Sequence, residues 1–245
     1  MARIRIGCSG WSYKDWRGPF YPQGLRQKDW FSFYAGQFDT TEINASFYRL
    51  PSEAAVANWA AIAPEGFTWS WKASRYITHN KKLKDCEASI DLVFGRMAPL
   101  GQAGCVLFQL PPMLRRDDAR LVAFIALLPP GYRYAFEFRH PSWYDDAAFQ
   151  ILADAGISLC ISDHHAAPSP WEATAPYVYV RGHGPGGHYR DPYPERTLSV
   201  WAARLHAWRD EGRAVFCYFD NDIKSAAPMD AVRLIEMIGD KAQGR

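Results

Sequence analysis

Glu137 and Arg139, two residues apart in the stretch YRYAFEFRHPSWY (Tyr132 to Tyr144), are the pair in this chain best suited to chemistry. Read as a strand, the stretch turns Tyr134, Phe136 and Phe138 to one side and Ala135, Glu137 and Arg139 to the other, because successive strand side chains alternate. The aromatic side suits packing under helices, and the acid-base side suits the inside of a pocket. Barrel enzymes keep reactive groups at the C-terminal ends of their strands. There a carboxylate can serve as general acid or base, and a guanidinium can hold an anion. The competing reading is that the two only close an ion-pair network, since buried charges are paired whether or not they catalyse.

Other strand-like runs offer comparable groups. With Ile43 facing out, Glu42 and Asn44 face in; with Phe67, Trp69 and Trp71 out, Ser70 and Lys72 face in. The next run leaves Leu107 and Gln109 inward, and a later one turns Val178 and Val180 outward, so that Tyr179, Arg181 and His183 line the interior. Tyr218 and Asp220 are the polar choice in the last run. Polar residues therefore collect at the C-terminal ends of separate strands, which is how a site is built and not how scatter falls.

Stepping along the chain, strands are expected at about 3–8, 39–44, 67–72, 104–110, 133–139, 157–162, 177–182 and 214–220. Helices are expected between them at about 26–36, 53–63, 86–97, 117–127, 145–154, 195–211 and 228–238. Leu198, Trp201, Leu205 and Trp208 share one helical face, with Gly212 where a C-terminal cap belongs. Ser52 is placed to cap the second helix. The segment from Pro168 to Pro176 is Pro-rich and holds at most a turn of helix. Eight strands alternating with helices and no linker between halves predict a single (β/α)8 TIM-type barrel spanning residues 1–245. An open doubly wound sheet is disfavoured, because no Gly-rich fingerprint follows the first strand.

The loops after these strands carry further candidates. Gly10 to Pro22 is an aromatic-rich lid or platform, and Arg75, His79, Lys81, Lys82 and Lys84 form a basic run that is otherwise a solvated face. Asp163, His164 and His165 follow strand six, and the Gly-rich run Gly182 to Arg190 follows strand seven. Barrels often bind phosphate between the loops of strands seven and eight.

The chain has 245 residues, is 48% hydrophobic and 22% charged, and carries a net charge of +2. That charge is too small to require a polyanion partner, though local clusters can still matter. The 10 Trp, 13 Tyr and 14 Phe supply ring surface for a large core and a binding face. No apolar run is long enough for a membrane span, and no secretory leader is read. The five cysteines (8, 86, 105, 160 and 217) lack CxxC spacing and sit mostly in expected strands. Reduced thiols in a cytoplasmic protein with no zinc are the expectation.

GCSGWSYKDWRGPFYP, TEINASFYRLP, KASRYITH, LFQLPP, FEFRHPSW, VRGHG and YFDND occur in this order. Together they resemble the YecE-like proteins, domain of unknown function family 72, from about Arg3 to Leu234. The resemblance implies a TIM-barrel-like fold and supplies no mechanism. It places Trp11, Glu42, Asn44, Tyr48, Lys72, Arg75, Gln109, Glu137, Arg139, Arg181, His183 and Asn221 in the pocket. Asp220 departs from the family's pattern, which more often reads Asn, and the Gly-rich insert between His183 and Tyr189 also diverges.

Four readings of the chemistry follow. The first is an enzyme for an anionic, phosphate-containing or nucleic-acid-like substrate, a hydrolase in its sharpest form. Lys72, Arg139 and Arg181 would hold the anion, and Glu137 or Glu42 would act as general acid or base. Glu137 and Lys72 are expected to form one unit, each holding the other charged. The second is a glycoside hydrolase with paired carboxylates, weakened by the many cations beside the acids. The third is a metal hydrolase using Glu42, Glu137, His183 and Asp163, which no HxH or HxxE spacing supports. The fourth is a binding protein for nucleic acid or another partner. No GxSxG marks a serine nucleophile, and no fingerprint loop marks a nicotinamide or flavin site. No cofactor is therefore expected. The partners expected are a small anionic ligand or nucleic acid and not a membrane, and no feature sets the oligomeric state.

Overall fold

In the computed structural model, which describes residues 2–101 and 104–239, eight parallel strands wind into a barrel ringed by helices. The strands are β1 (Ile4–Cys8), β2 (Thr40–Ile43), β3 (Thr68–Lys72), β4 (Cys105–Gln109), β5 (Arg133–Glu137), β6 (Ser158–Ser162), β7 (Tyr177–Gly182) and β8 (Ala214–Phe219). Neighbours pair in chain order from β2 to β8, and β8 pairs back onto β1. The seam between β1 and β2 is closed by an isolated bridge, Ser9 opposite Glu42. Gly7 makes this seam possible: a Cβ there would meet the Thr40 carbonyl oxygen at 2.3 Å. The Thr41 hydroxyl adds a bond to the Cys8 carbonyl (3.1 Å).

The helices are α1 (Trp30–Ala35), α2 (Ala45–Tyr48), α3 (Glu53–Ile62), α4 (Glu87–Met97), α5 (Asp118–Ile125), α6 (Asp146–Asp154), α7 (Glu195–Asp210) and α8 (Ala226–Ile238). Ser52 caps α3 by accepting from the Ala55 amide at 3.2 Å. Leu198, Trp201, Leu205 and Trp208 are buried along one face of α7, and Gly212 ends the turn beyond it with φ +85°. The stretch expected as one helix at 26–36 begins as a 3-10 turn, Gln27–Asp29, before α1. Helix α2 had no counterpart in the sequence reading, because four residues are too few to show a helical period. No helix follows β6 before β7, as the prolines there imply.

Strand parity decides what each side chain meets. Trp69, Trp71, Phe136 and Phe138 are buried in the outer core, packed with residues of the surrounding helices. Cys105, Leu107, Ala135, Cys160, Tyr179 and Phe216 form a separate apolar plug inside the lumen. The inward polar groups sit above that plug, at the C-terminal ends of the strands. All five cysteines are buried, free thiols. No helix among the described residues is long and apolar enough to cross a membrane.

Candidate functional site

A single guanidinium organises the floor of the barrel mouth. Arg181, at the end of β7, is fully buried and meets three carboxylates from three other strand ends. Its Nη2 donates to Glu42 Oε1 (2.9 Å) and to Asp220 Oδ2 (2.7 Å), and its Nη1 donates to Glu137 Oε2 (2.9 Å). Nε adds a bond to Glu42 Oε2 at 3.1 Å. The Tyr179 hydroxyl donates to the same oxygen of Glu42 at 2.6 Å, and the Ser9 hydroxyl to Oε1. Burying so many charges is tolerable only when each has partners, and here each does.

Glu137 is clamped twice. One oxygen faces Arg181; the other pairs with Arg139 and accepts from the Ser162 hydroxyl (3.2 Å). Burial alone would raise its proton affinity, but Arg139 and Arg181 outweigh that and hold the carboxyl well below the usual carboxylate range. The expected Glu137–Lys72 unit does not form; parity tells which side a residue faces, not which partner it takes. His183 finishes the layer. Its Nε2 accepts from Arg139 and Arg181, both at 3.1 Å, while Nδ1 donates to Asp163 Oδ1 at 3.2 Å. Burial lowers its proton affinity to a pKa of about 3, with the Asp163 contact opposing.

Above this layer opens a cavity of about 680 Å³. Trp11, Trp59, Phe47 and Tyr48 form one aromatic wall; Tyr13 and Tyr189 close other sides. Its polar lining is Asn44, Lys72, His79, Gln109, Asp220 and Asp222. The Lys72 ammonium lies 4.5 Å from the Phe47 ring centroid. It makes no ion pair or hydrogen bond among the described residues. Burial brings its pKa down to about 8, Arg181 adding to the shift and Asp220, Glu42 and Glu137 opposing it. The Ser46 hydroxyl lies within bonding distance of the Ile43 and Lys72 carbonyls (2.8 and 2.6 Å), which seats α2 and its Phe47 beneath that lysine. His79, on a single π-helical turn (Tyr76–Asn80), is turned edge-on to Phe47, and burial with nearby Lys72 takes its pKa to about 4.

Of the residues expected at a site, Trp11, Asn44, Tyr48, Lys72 and Gln109 line this cavity. Glu42, Glu137, Arg139, Arg181 and His183 lie in the buried layer beneath it. Arg75 is exposed outside the cavity. Asn221 is buried, its amide donating to the Asp191 carbonyl (2.8 Å) and to Asp230 Oδ2 (2.9 Å). Residues not singled out include Phe47, Trp59, Tyr189 and Asp222, all from helices or loops where no alternation marks a side. The only signal for Asp222 was its place in the YFDND motif.

In the Gly-rich loop after β7, three amides are taken up by acceptors of the protein itself. The amides of Gly184, Gly187 and Tyr189 donate to the Tyr193 hydroxyl (2.8 Å), the Gly184 carbonyl (2.8 Å) and the His183 carbonyl (2.5 Å). Its glycines serve close packing: a Cβ on Gly187 would meet the Asp163 carbonyl at 2.2 Å. The loop thereby carries Tyr189 over the site, where its hydroxyl accepts from Arg139 at 2.9 Å.

An eight-stranded parallel barrel with a charged floor and one aromatic cavity at its C-terminal face defines a TIM-type barrel protein. The family model described as "Protein of unknown function DUF72" matches residues 5–245, and the chain belongs to that family. It is 29% identical to the UPF0759 protein YecE of Escherichia coli over 156 residues, 63% of this chain. That match takes in only 55% of the E. coli protein's length. The UPF0759 protein YunF of Bacillus subtilis is 23% identical, over 96% of this chain and 94% of that protein. Among solved structures, a DUF72 family protein of Thermotoga maritima superposes with a TM-score of 0.87 at 24% identity. The superposition covers 97% of this chain and 99% of that one.

Proposed function

We propose that the mouth cavity is the functional site and that it takes a ligand combining an anionic, phosphate-type group with a flat or apolar part, as a nucleotide-like molecule does. Lys72 carries this reading. Arg139 and Arg181 already face carboxylates, whereas the Lys72 ammonium is buried in the cavity wall with an aromatic face as its contact. Its three N–H donors are free to meet an oxyanion. The aromatic wall offers a stacking surface for a base or ring. A hydrolase acting on such an anion is the sharper form of the proposal, and it shifts the acid-base work away from Glu137. A carboxylate held by two guanidinium groups takes up a proton too weakly to act as base or acid near neutral pH. Glu137 and Glu42 instead hold Arg181, and through it the shape of the floor.

The glycoside hydrolase reading has less behind it, because Glu42 and Glu137, its carboxylate pair, are both locked on Arg181. A thermal-shift panel separates the two. Inorganic phosphate, nucleoside monophosphates and short oligonucleotides should raise the melting temperature, and neutral oligosaccharides should not. The reverse ranking would overturn the anion reading.

A further inference from the structure

Two carboxyl groups share the cavity wall and are held very differently. Asp220 is fastened to Arg181 at 2.7 Å. Asp222, two residues on, makes no ion pair among the described residues, and its Oδ1 is shut off from solvent without a hydrogen-bond partner. The carboxyl's polar side-chain neighbour is the Tyr13 hydroxyl, which gives its own proton to the Ser9 carbonyl, and Oδ2 is the oxygen that can meet a ligand beside it. The main chain around it is fixed. The Asp222 carbonyl accepts from Trp16 Nε1 (3.2 Å) and from the Ser225 amide (3.1 Å), and the Ser225 hydroxyl donates to the Asp15 carbonyl (2.8 Å). Lys224 and Ser225 take left-handed conformations, φ +55° and +63°, which are disfavoured for non-glycine residues by about 1–2 kcal/mol each. The bonds around them hold that shape and aim Asp222 at the cavity.

Charge decides which form of Asp222 fits. Arg139, Arg181 and Lys72 contribute three positive charges, and Glu42, Glu137, Asp163 and Asp220 four negative ones, leaving one negative. An ionised Asp222 would make the mouth more negative still at the place where an anion has to arrive. The charged or titratable groups around it are Asp220, Tyr13, Arg181 and Glu42, with Cys8 behind and Lys72 across the cavity. We propose that Asp222 is held as a neutral carboxyl and donates the second hydrogen bond, beside the Lys72 ammonium, to a tetrahedral oxyanion such as a phosphate or sulfate group. Anion capture is then coupled to a proton on Asp222. Burial raises the proton affinity of this carboxyl well above the ordinary aspartate value, and Asp220 adds to the effect.

The inference rests on the anion reading of the same cavity, and one experiment separates the two. Sulfate is the probe, because it does not titrate over the range used. Its binding is followed by the fluorescence of Trp11 and Trp59, which line the cavity, from pH 5 to 10. In wild type, affinity should fall with rising pH more steeply than one titrating group allows, which is about tenfold per unit for each proton lost. Asp222→Asn keeps a neutral donor, so it should still bind and should retain only the alkaline limb of Lys72, near 8. An identical pH profile in wild type and Asp222→Asn, with sulfate binding lost in Lys72→Met, overturns the role of Asp222 and leaves the anion reading standing. No sulfate binding in wild type at any pH overturns both. Should Asp222→Asn fold poorly, proton uptake on adding sulfate to wild type, measured across the same range from pH 5 to 10, needs no variant. Uptake beyond that of Lys72 alone at some pH in that range supports the proposal, and uptake no greater than that at every pH overturns it.

Discussion

The Lys72 ammonium stands 4.5 Å from the centre of the Phe47 ring, and that aromatic face takes the place a carboxylate would take in an ordinary buried pair. The other two cations of the mouth, Arg139 and Arg181, have carboxylates within 3 Å. The same barrel end thus holds two cations that keep the fold, Arg139 and Arg181, and a lysine that is open to a ligand.

That division predicts opposite responses to substitution. Arg181→Met strands Glu42 and Asp220 and leaves Glu137 with Arg139 alone, and Glu137→Gln deprives Arg139 of its carboxylate. Each should cost about 3–5 kcal/mol in urea unfolding, as broken buried pairs do. The folded fraction of Glu137→Gln should still bind anions. Stability close to wild type together with lost binding would return Glu137 to the chemistry.

Stability should follow pH with a sign set by the buried groups. His183 titrates near 3 when folded against an ordinary 6.5, so the unfolded chain takes a proton first as pH drops. Stability therefore falls from about 6.5 toward 3, and His79 and His164, each near 4, act in the same direction. Glu137, held below the carboxylate range, adds stability that is present above its unfolded value and lost in acid. On the alkaline side, Lys72 near 8 against an ordinary 10.5 contributes stability that rises with pH between those values. The five buried cysteines, whose thiols burial pushes up, contribute the opposite slope. Chemical denaturation at a series of pH values checks both limbs, and the Lys72 part is read as the difference between wild type and Lys72→Met. A difference that stayed constant between pH 8 and 10.5 would contradict the assignment to Lys72.

Tyr48 is 68% exposed at the rim of the cavity. Tyr48→Ala should change stability by no more than about 0.5 kcal/mol. It should weaken a nucleotide-like ligand by about 1–3 kcal/mol through lost stacking. Equal affinity for a nucleoside monophosphate in both proteins would remove this ring from the binding surface.

Much of this architecture can be read without coordinates, for a physical reason. Strand alternation has an unvarying period of two, so Glu42, Lys72, Glu137, Arg181 and His183 could be assigned to the lumen from their neighbours alone. Alternation is silent about partners, and so Glu137 was expected on Lys72 while geometry gave it to Arg139 and Arg181. It is silent about loops as well. Phe47, Tyr189 and Asp222 reach the cavity from α2 and the loops after β7 and β8, which are too short or too irregular to show a period. The helical period of α3 marks the face that carries Trp59 without telling that it meets the cavity. The Gly-rich run shows the same limit: its composition marks a loop, and only the geometry shows that Gly184 and Gly187 serve close packing.

The measurement that bears most directly on the central claim is calorimetric titration of inorganic phosphate into wild type and Lys72→Met at pH 7. A hydrogen bond to a charged group contributes about 1.5–3 kcal/mol, so removing the ammonium should weaken phosphate by about 10- to 150-fold. Folding stability near neutral pH should not fall below that of wild type, since no ion pair is broken and the cost of burying the ammonium is removed. Equal phosphate affinity in the two proteins would contradict the account, because the cavity would then hold its anion without the Lys72 ammonium.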